Sequence, residues 1–349
     1  MPQKSQKKLT SQKQTKPVAK ASSSSPDANL LAIKWNDVSV RQWRDLVRKA
    51  EQSNLLQSWP YAQAVLVTER LVGKFATIYW QGRIVGICQV LEQRLLGVFH
   101  KVRLYRGPLW LEPDIPQEVH EFFWAEIQKR YPSRPWRFRY FLPEMPDTDA
   151  NRAMLAKFGL NRIQTDGYSS IWLDLTQPEE VLRANLKQNW RNTLNQSEKK
   201  GLSLDLDTEG KHLNWLLKRS EMDKILKEFK GPSPALVAHL KRFTKDRGEF
   251  LLMRALQDGP NGEENREAIG AILLFLHEGS ATYLVGWNSQ EGRDARAHNY
   301  LLWNALLELK KRDVKWLDLG GINPDDAKGV TFFKKGLGGT PFTLIGSYN

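Results

Sequence analysis

The sequence is poor in the residues that build covalent and metal frameworks. It has one cysteine, Cys88, and six histidines in 349 residues. A lone cysteine closes no internal disulfide and supplies no CxxC pair or thiolate zinc cluster, which fits a reducing compartment. The histidines show no HxxxH or HExxH spacing, so no catalytic metal is expected. No uninterrupted apolar run reaches the roughly 18 residues of a membrane-spanning helix. Acidic residues are also short, 39 against 52 basic ones, for a net charge of +13. What is present excludes a disordered chain, a collagen and a disulfide scaffold. Hydrophobic residues make up 41%, with 13 Trp, 14 Phe and 9 Tyr to build cores. At about 100–200 residues per domain, the length favours two domains.

Part of the positive charge is local. Residues 1–28 carry Lys4, Lys7, Lys8, Lys13, Lys16 and Lys20 against Asp27 alone, amid Ser, Thr, Gln and Pro. Such a segment buries too little apolar surface to offset chain entropy and is expected to be disordered. It has neither the apolar stretch of a secretory signal nor the arginines of a transit peptide. It reads either as a solubilising tail or as an electrostatic arm for RNA or anionic lipid. Further along, the basic segments 130–139, 187–200 and 218–230 interleave cations with aromatics, as phosphate-bearing ligands favour. Solvated helix faces look similar, and no zinc-finger or RNP signature accompanies them.

Hydrophobic periodicity predicts helices at 40–53, 61–67, 117–131 and 149–158 in the first half, with strands at 73–80, 84–95, 136–142 and 170–175. The second half predicts a basic helix over 178–200, capped by Gly201, then helices within 211–246 broken at Gly231–Pro234. Strands at 250–256, 268–276 and 281–287 follow, with a polar loop over 258–266. A helix at 299–312, a strand at 315–319, a short helix at 329–335 and a strand at 341–346 finish the chain. The halves echo each other in this order, and Lys157-Phe158-Gly159-Leu160 answers Lys334-Lys335-Gly336-Leu337. Two α/β domains of one type, 29–176 and 177–349, packed side by side about a cleft, are expected after the tail.

The most informative stretch runs from Ala281 to Gly339. Its strand, helix and strand end in Asp318-Leu319-Gly320-Gly321. Twin glycines at the carboxyl end of a strand let a ligand or another backbone approach closely, or simply make a tight turn. The stretch resembles the second domain of the FemABX peptidyltransferases, in order: a Tyr-containing strand, a small-residue turn, Asn299-Tyr300 opening a helix, Asp318-Leu319-Gly320-Gly321-Ile322, then Phe333-Lys334 before a glycine-rich turn. Arg191, in WRNTLNQSEKKGL, resembles that family's basic helix, and Ser58-Trp59-Pro60-Tyr61-Ala62 its aromatic first-domain segment. The resemblance runs from about Trp35 to the end and is weak before Arg191. It departs in the first domain, where no basic residue for a nucleotide-sugar diphosphate is matched, and at Val285, where one branch has tyrosine. The long helical hairpin of some members is also absent.

The resemblance implies tandem GNAT-like acyltransferase domains, layered α/β. It implies transfer of an aminoacyl group from aminoacyl-tRNA to an amine of a lipid- or nucleotide-linked peptidoglycan precursor. No resident cofactor and no acyl-enzyme are implied, and the protein would work in the cytoplasm, peripheral to the inner face of the membrane if the tail binds it. Lys334 then holds the carbonyl oxyanion and Phe333 fixes its position, unless Lys334 is an exposed residue of an amphipathic helix. Asp318 either takes a proton from the attacking amine or is a structural carboxylate of the glycine turn. Arg296, Asn299 and Tyr300 orient substrate, with Asn299 otherwise a helix cap. Trp287 lines the cleft or packs in the core. Arg191 pairs with a phosphate or faces solvent, and Gly320 and Gly321 admit the substrate. One alternative is an N-acyltransferase using coenzyme A or acyl-carrier protein, for which Glu291–Ala297 only loosely resembles a pyrophosphate loop. Another is RNA binding without catalysis.

Overall fold

The computed structural model describes residues 31–228, 231–259, 262–322 and 328–349, so the tail expected to be disordered lies outside the described residues. The first half begins with β1 (Ala32–Trp35), α1 (Val40–Lys49), α2 (Trp59–Glu69), β2 (Val72–Trp80), β3 (Arg83–Leu95), β4 (Phe99–Gly107) and β5 (Leu109–Trp110). It continues with α3 (Gln117–Arg130), β6 (Arg137–Pro143), α4 (Asp149–Lys157), β7 (Arg162–Gln164) and β8 (Ser169–Asp174). Next come α5 (Glu179–Asn185), α6 (Gln188–Ser197), β9 (Ser203–Asp207), α7 (Leu213–Lys227) and α8 (Pro234–Thr244). The remainder is β10 (Phe250–Gly259), β11 (Gly262–His277), β12 (Ser280–Asn288), α9 (Gln290–Asp294) and α10 (Ala297–Lys311), then β13 (Trp316–Asp318), α11 (Lys328–Lys335), β14 (Thr340–Thr343) and β15 (Ser347–Tyr348).

Two mixed sheets result. One runs β1-β2-β3-β4-β6-β15-β7, with β5 beside β3, and the other β14-β8-β13-β12-β11-β10-β9. Each contains one parallel pair, β4/β6 and β12/β13, joined by a crossover through α3 and through α9–α10 respectively. Parallel neighbours require such a crossover, so the echo heard in the sequence is a topological repeat. The tandem layered α/β architecture is the one expected.

The halves are interlocked. β8, expected to complete the first half, lies between β13 and β14 in the second sheet, while β15 pairs with β6 and β7 in the first. The chain therefore crosses into the second sheet one strand before the boundary expected near 176. Pairing partners decide sheet membership, and local sequence carries little information about them.

Other departures have local causes. The helix expected over 178–200 is two, because Leu186 and Lys187 leave helical geometry and the Lys187 N–H donates to Gly336 O at 2.9 Å. The polar segment expected as a loop over 258–266 extends the β10–β11 hairpin, whose ladder reaches Gly259 opposite Gly262. The backbone ladder continues there beyond the apolar core.

Apolar packing also joins the halves. Leu55 and Ala64, the latter on α2, share a core with Val237 and Leu240 of α8 and with Phe250, Leu273 and Val285 of the second sheet. Polar groups complete the seam. Ser53 Oγ lies 3.1 Å from His277 Nδ1, and Thr282 Oγ1 lies 2.8 Å from Nε2. Burial, opposed by Asp318 and aided by Arg106, pushes the His277 pKa down to about 3. The native state thus holds this imidazole neutral, while the unfolded chain protonates it near 6.5. Its contribution is fully present above 6.5 and is lost as pH falls toward 3. Between pH 6.5 and 5, His277→Gln should remove about 1 kcal/mol per pH unit from the slope of unfolding free energy. Denaturant titrations at stepped pH measure this, and an unaltered slope would contradict it.

Candidate active site

β12 and β13 pair only from Ser280 to Thr282, opposite Trp316 to Asp318. A bulge at Leu284 then turns β12, so that Leu274 faces Tyr283 and Leu273 faces Val285. Beyond Asp318 the chain follows β8 instead, with the Leu319 N–H donating to Ile171 O and the Ile322 N–H to Ser169 O. The parallel ladder thus ends at the carboxyl ends of β12 and β13, the position where α/β sheets admit ligands.

Lys334, on α11, reaches the end of this ladder. It is 7% exposed, and its Nζ donates to Gly320 O at 3.2 Å and Gly321 O at 2.9 Å. The ammonium also lies 5.3 Å from the centre of the Tyr283 ring. The exposed-lysine reading is therefore excluded. Burial lowers its pKa to about 8, with Asp318 pulling the other way. At pH 7 the group remains largely protonated, and two of its three N–H donors are engaged by those carbonyls.

Gly320 is required by geometry. Its φ is +72°, and a Cβ there would lie 2.5 Å from Tyr283 O. Gly321 is less constrained, since the nearest atom to an added Cβ would be on Tyr168 at 3.6 Å. Gly286 has a related role on β12, because a Cβ there would meet the Tyr283 hydroxyl at 1.9 Å and His298 at 3.4 Å.

Phe333 turns inward against the second-sheet core, beside Trp190 at 5.9 Å and His298 at 6.3 Å between ring centres. His298 Nε2 lies 3.0 Å from Trp287 O. His298, Tyr283 and Trp190 were not singled out in the sequence. His298 and Tyr283 fall within its most informative stretch, and Trp190 immediately precedes Arg191.

Asp318 is fully buried and its carboxylate is saturated. Arg106 Nη1 donates to Oδ2 at 2.6 Å, while Ser170 Oγ, the Gly320 N–H at 2.9 Å and Tyr168 Oη at 3.4 Å donate to Oδ1. Despite burial, Arg106 and these donors hold its pKa below the usual carboxylate value. A carboxylate so held is a poor proton acceptor, and the structural reading is the one its surroundings support. Arg106, from β4 of the first half, also makes a forked pair with Glu144 at 2.8 Å through both Nε and Nη2. The fully buried guanidinium thus ties the first sheet to the edge of the site.

The remaining expected residues are dispersed. Trp287 packs with Trp215 at 5.2 Å in the core on the other face of the sheet from Phe333 and Tyr283, so the core reading holds. Asn299 is buried at the third position of α10. The residue capping that helix is Arg296, in left-handed geometry at φ +60°. Asn299 is thus not the cap. The exposed Arg296 lies 3.5 Å from Arg293 O through Nη1, and Tyr300 packs partly buried on the same core as Phe333. Arg191 donates to Gln188 Oε1 at 3.0 Å on the surface of α6, and its neighbour Trp190 is the residue that reaches Phe333. The segment over Glu291–Ala297 is no open cradle. Residues 291–294 belong to α9, where a Cβ on Gly292 would lie 2.1 Å from Ile269 O, and Ala295 and Arg296 only link it to α10.

Two hollows lie elsewhere. One of about 510 Å³ opens between the halves around Arg48, Glu278 and Arg312, and one of about 380 Å³ runs along Arg162–Asp166. Neither is lined by Lys334. Among the described residues no cluster of His, Cys, Asp and Glu is arranged to hold a metal ion.

Residues 253–349 match the FemAB family. The resemblance carried by Asn299-Tyr300, Asp318–Ile322 and Phe333-Lys334 is borne out by that match. The fold extends the likeness over nearly the whole chain. The crystal structure of FemX superposes with a TM-score of 0.73 at 13% identity, covering 90% of this chain and 96% of that one. A tandem GNAT protein from the clavulanic acid biosynthesis pathway gives 0.50 at 14%, covering 91% and 98%. A conserved protein of unknown function from Bacteroides thetaiotaomicron gives 0.55 at 12%, covering 91% and 98%. No curated protein matches the chain. The FemAB match and the tandem GNAT fold together support an acyltransferase, of the aminoacyltransferase type.

Proposed function

We propose that this protein transfers an aminoacyl group from aminoacyl-tRNA to an amine of a peptidoglycan precursor or related envelope substrate. The observation that carries this reading is the Lys334 ammonium, nearly buried and fixed by two backbone carbonyls just past the end of the β12–β13 ladder. Attack of a neutral amine on the ester carbon forms the C–N bond and drives the carbonyl electron pair onto oxygen. In this reading the remaining Lys334 N–H stabilises that alkoxide, in a site where low dielectric strengthens the interaction. Collapse breaks the ester C–O bond, and the proton lost by the amine ends on the departing ribose oxygen. No acyl-enzyme is required. Asp318 acts at one remove, since its oxygens fix Arg106, Ser170 and the Gly320 N–H and thereby the carbonyls that hold Lys334.

The coenzyme A alternative is weakened by α9, where the expected phosphate loop is a helix with acidic Glu291 and Asp294. Incubation with labelled aminoacyl-tRNA and extracted envelope precursors tests the proposal. Label should enter the precursor as one amino-acid mass, and ribonuclease should abolish transfer. Transfer that resists ribonuclease and needs coenzyme A would overturn it.

A further inference from the structure

The first half carries a surface that the proposed chemistry does not use. β3 and β4 meet in a tight turn at Leu96-Gly97, both with positive φ, at 52° and 70°. A turn with positive φ at both central positions favours Asn or Asp before glycine, because a larger side chain is strained in left-handed geometry. Here the position holds a leucine that is 91% exposed. Around it stand Val98, Phe99, Trp136 and Phe138, exposed by 44% to 57%, with the Phe99 and Phe138 rings stacked at 6.2 Å. A strained, solvated aliphatic tip beside an aromatic girdle is costly for a surface that meets only water.

The exposed charge around this tip has one sign, the nearby Glu92 being buried against His100 and Tyr131. Residues 94–103 and 130–138 contain Arg94, Lys101, Arg103, Arg130, Arg134 and Arg137, and no Asp or Glu. Among the described residues none of the six forms an ion pair. Arg137 turns to the neutral acceptors His100 Nδ1 and Pro132 O, and Arg130 and Arg103 lie over the rings of Trp35 and Tyr140. Burial, then the nearby charges of Arg94 and Arg134, lower the Arg137 pKa, with the buried Glu92 pulling the other way.

We infer that the β3–β4 tip and the adjoining start of β6 dock on an anionic lipid bilayer, with Leu96 and Val98 entering the acyl boundary and the arginines meeting headgroup phosphates. The aliphatic apex decides between lipid and nucleic acid. Bases stack on aromatic rings, whereas an exposed Leu-Leu-Gly-Val turn offers them no flat face. Aromatics at the headgroup level beside cations are the pattern of a membrane interface. β4 runs from this surface to Arg106, roughly 23 Å away by seven residues of strand rise, and Arg106 bonds Asp318 at the edge of the Lys334 site.

The full-length protein should float with vesicles of phosphatidylglycerol and phosphatidylcholine and not with phosphatidylcholine alone. Leu96→Asn supplies the residue the turn prefers, so it should leave the melting temperature unchanged or raised while lowering vesicle affinity about tenfold, the worth of one buried leucine. Arg94→Glu with Arg134→Glu should lower it by about tenfold or more. Brominated acyl chains should quench Trp136, and the quenched component should vanish in Trp136→Phe. The proposal is overturned if these variants float like wild type, if Trp136 is not quenched, or if they lose tRNA retention on filters while vesicle binding persists.

Discussion

Replacing Lys334 with methionine should lower kcat for aminoacyl transfer about 10²–10³-fold, as removal of one oxyanion donor does elsewhere. Methionine is unbranched and one heavy atom shorter, so it fills most of the same space beside Tyr283 and Gly320. It removes a charge whose burial already opposes folding, as the lowered pKa of about 8 records. It also removes the hydrogen bonds to Gly320 O and Gly321 O, so the two effects oppose each other and the melting temperature should move little. The discriminating pattern is a loss in kcat with KM nearly unchanged, because the ammonium meets charge that exists only in the transition state. A kcat within a few-fold of wild type would remove Lys334 from the chemistry.

The second large effect concerns stability. Arg106→Leu should destabilise the protein by about 3–5 kcal/mol, the usual cost of leaving a buried charge without its partner. Asp318 would remain fully buried with Ser170, Tyr168 and the Gly320 N–H as neutral donors, and Glu144 would lose its forked partner as well. Adding Asp318→Asn should recover part of the loss, which a double-mutant cycle in urea would show as a coupling between residues of opposite halves. The pH dependence has a definite sign. Arg106 helps hold the native Asp318 pKa below its ordinary value, so this contribution is complete above the unfolded carboxylate pKa of about 3.9. It is lost as pH falls through the lower native value. In Arg106→Leu, burial prevails, the Asp318 pKa rises, and mild acid should narrow the gap to wild type. Additive single-variant effects would contradict the link.

What could be read in the sequence was what repeats locally. Leu302, Leu306 and Leu309 define one face of α10, and Val119, Phe123 and Ile127 one face of α3, because each helix buries a single stripe. Asp318–Gly321 was legible because twin glycines at a strand end leave a pattern in few residues, whereas Phe333-Lys334 stood out only through the family resemblance. β4 was missed since its buried set is His100, Val102, Leu104 and Arg106, in which polar residues dilute the period-two signal. Arg106 itself was invisible as a site residue, with partners 38 and 212 positions away. The same holds for β8 and β15, short strands whose sheets are chosen by tertiary pairing. Asp318 shows the limit from the other side. Its importance was evident, but only the surrounding donors distinguish a clamp from a base.

The most direct test is the pH dependence of single-turnover aminoacyl transfer by the wild type and by Lys334→Arg. If the ammonium stabilises the alkoxide, the wild-type rate falls as pH rises through about 8, where Lys334 loses its proton. In the arginine variant the residual rate should lack that decline, since a guanidinium stays charged throughout. The same falling limb in both proteins would contradict the assignment.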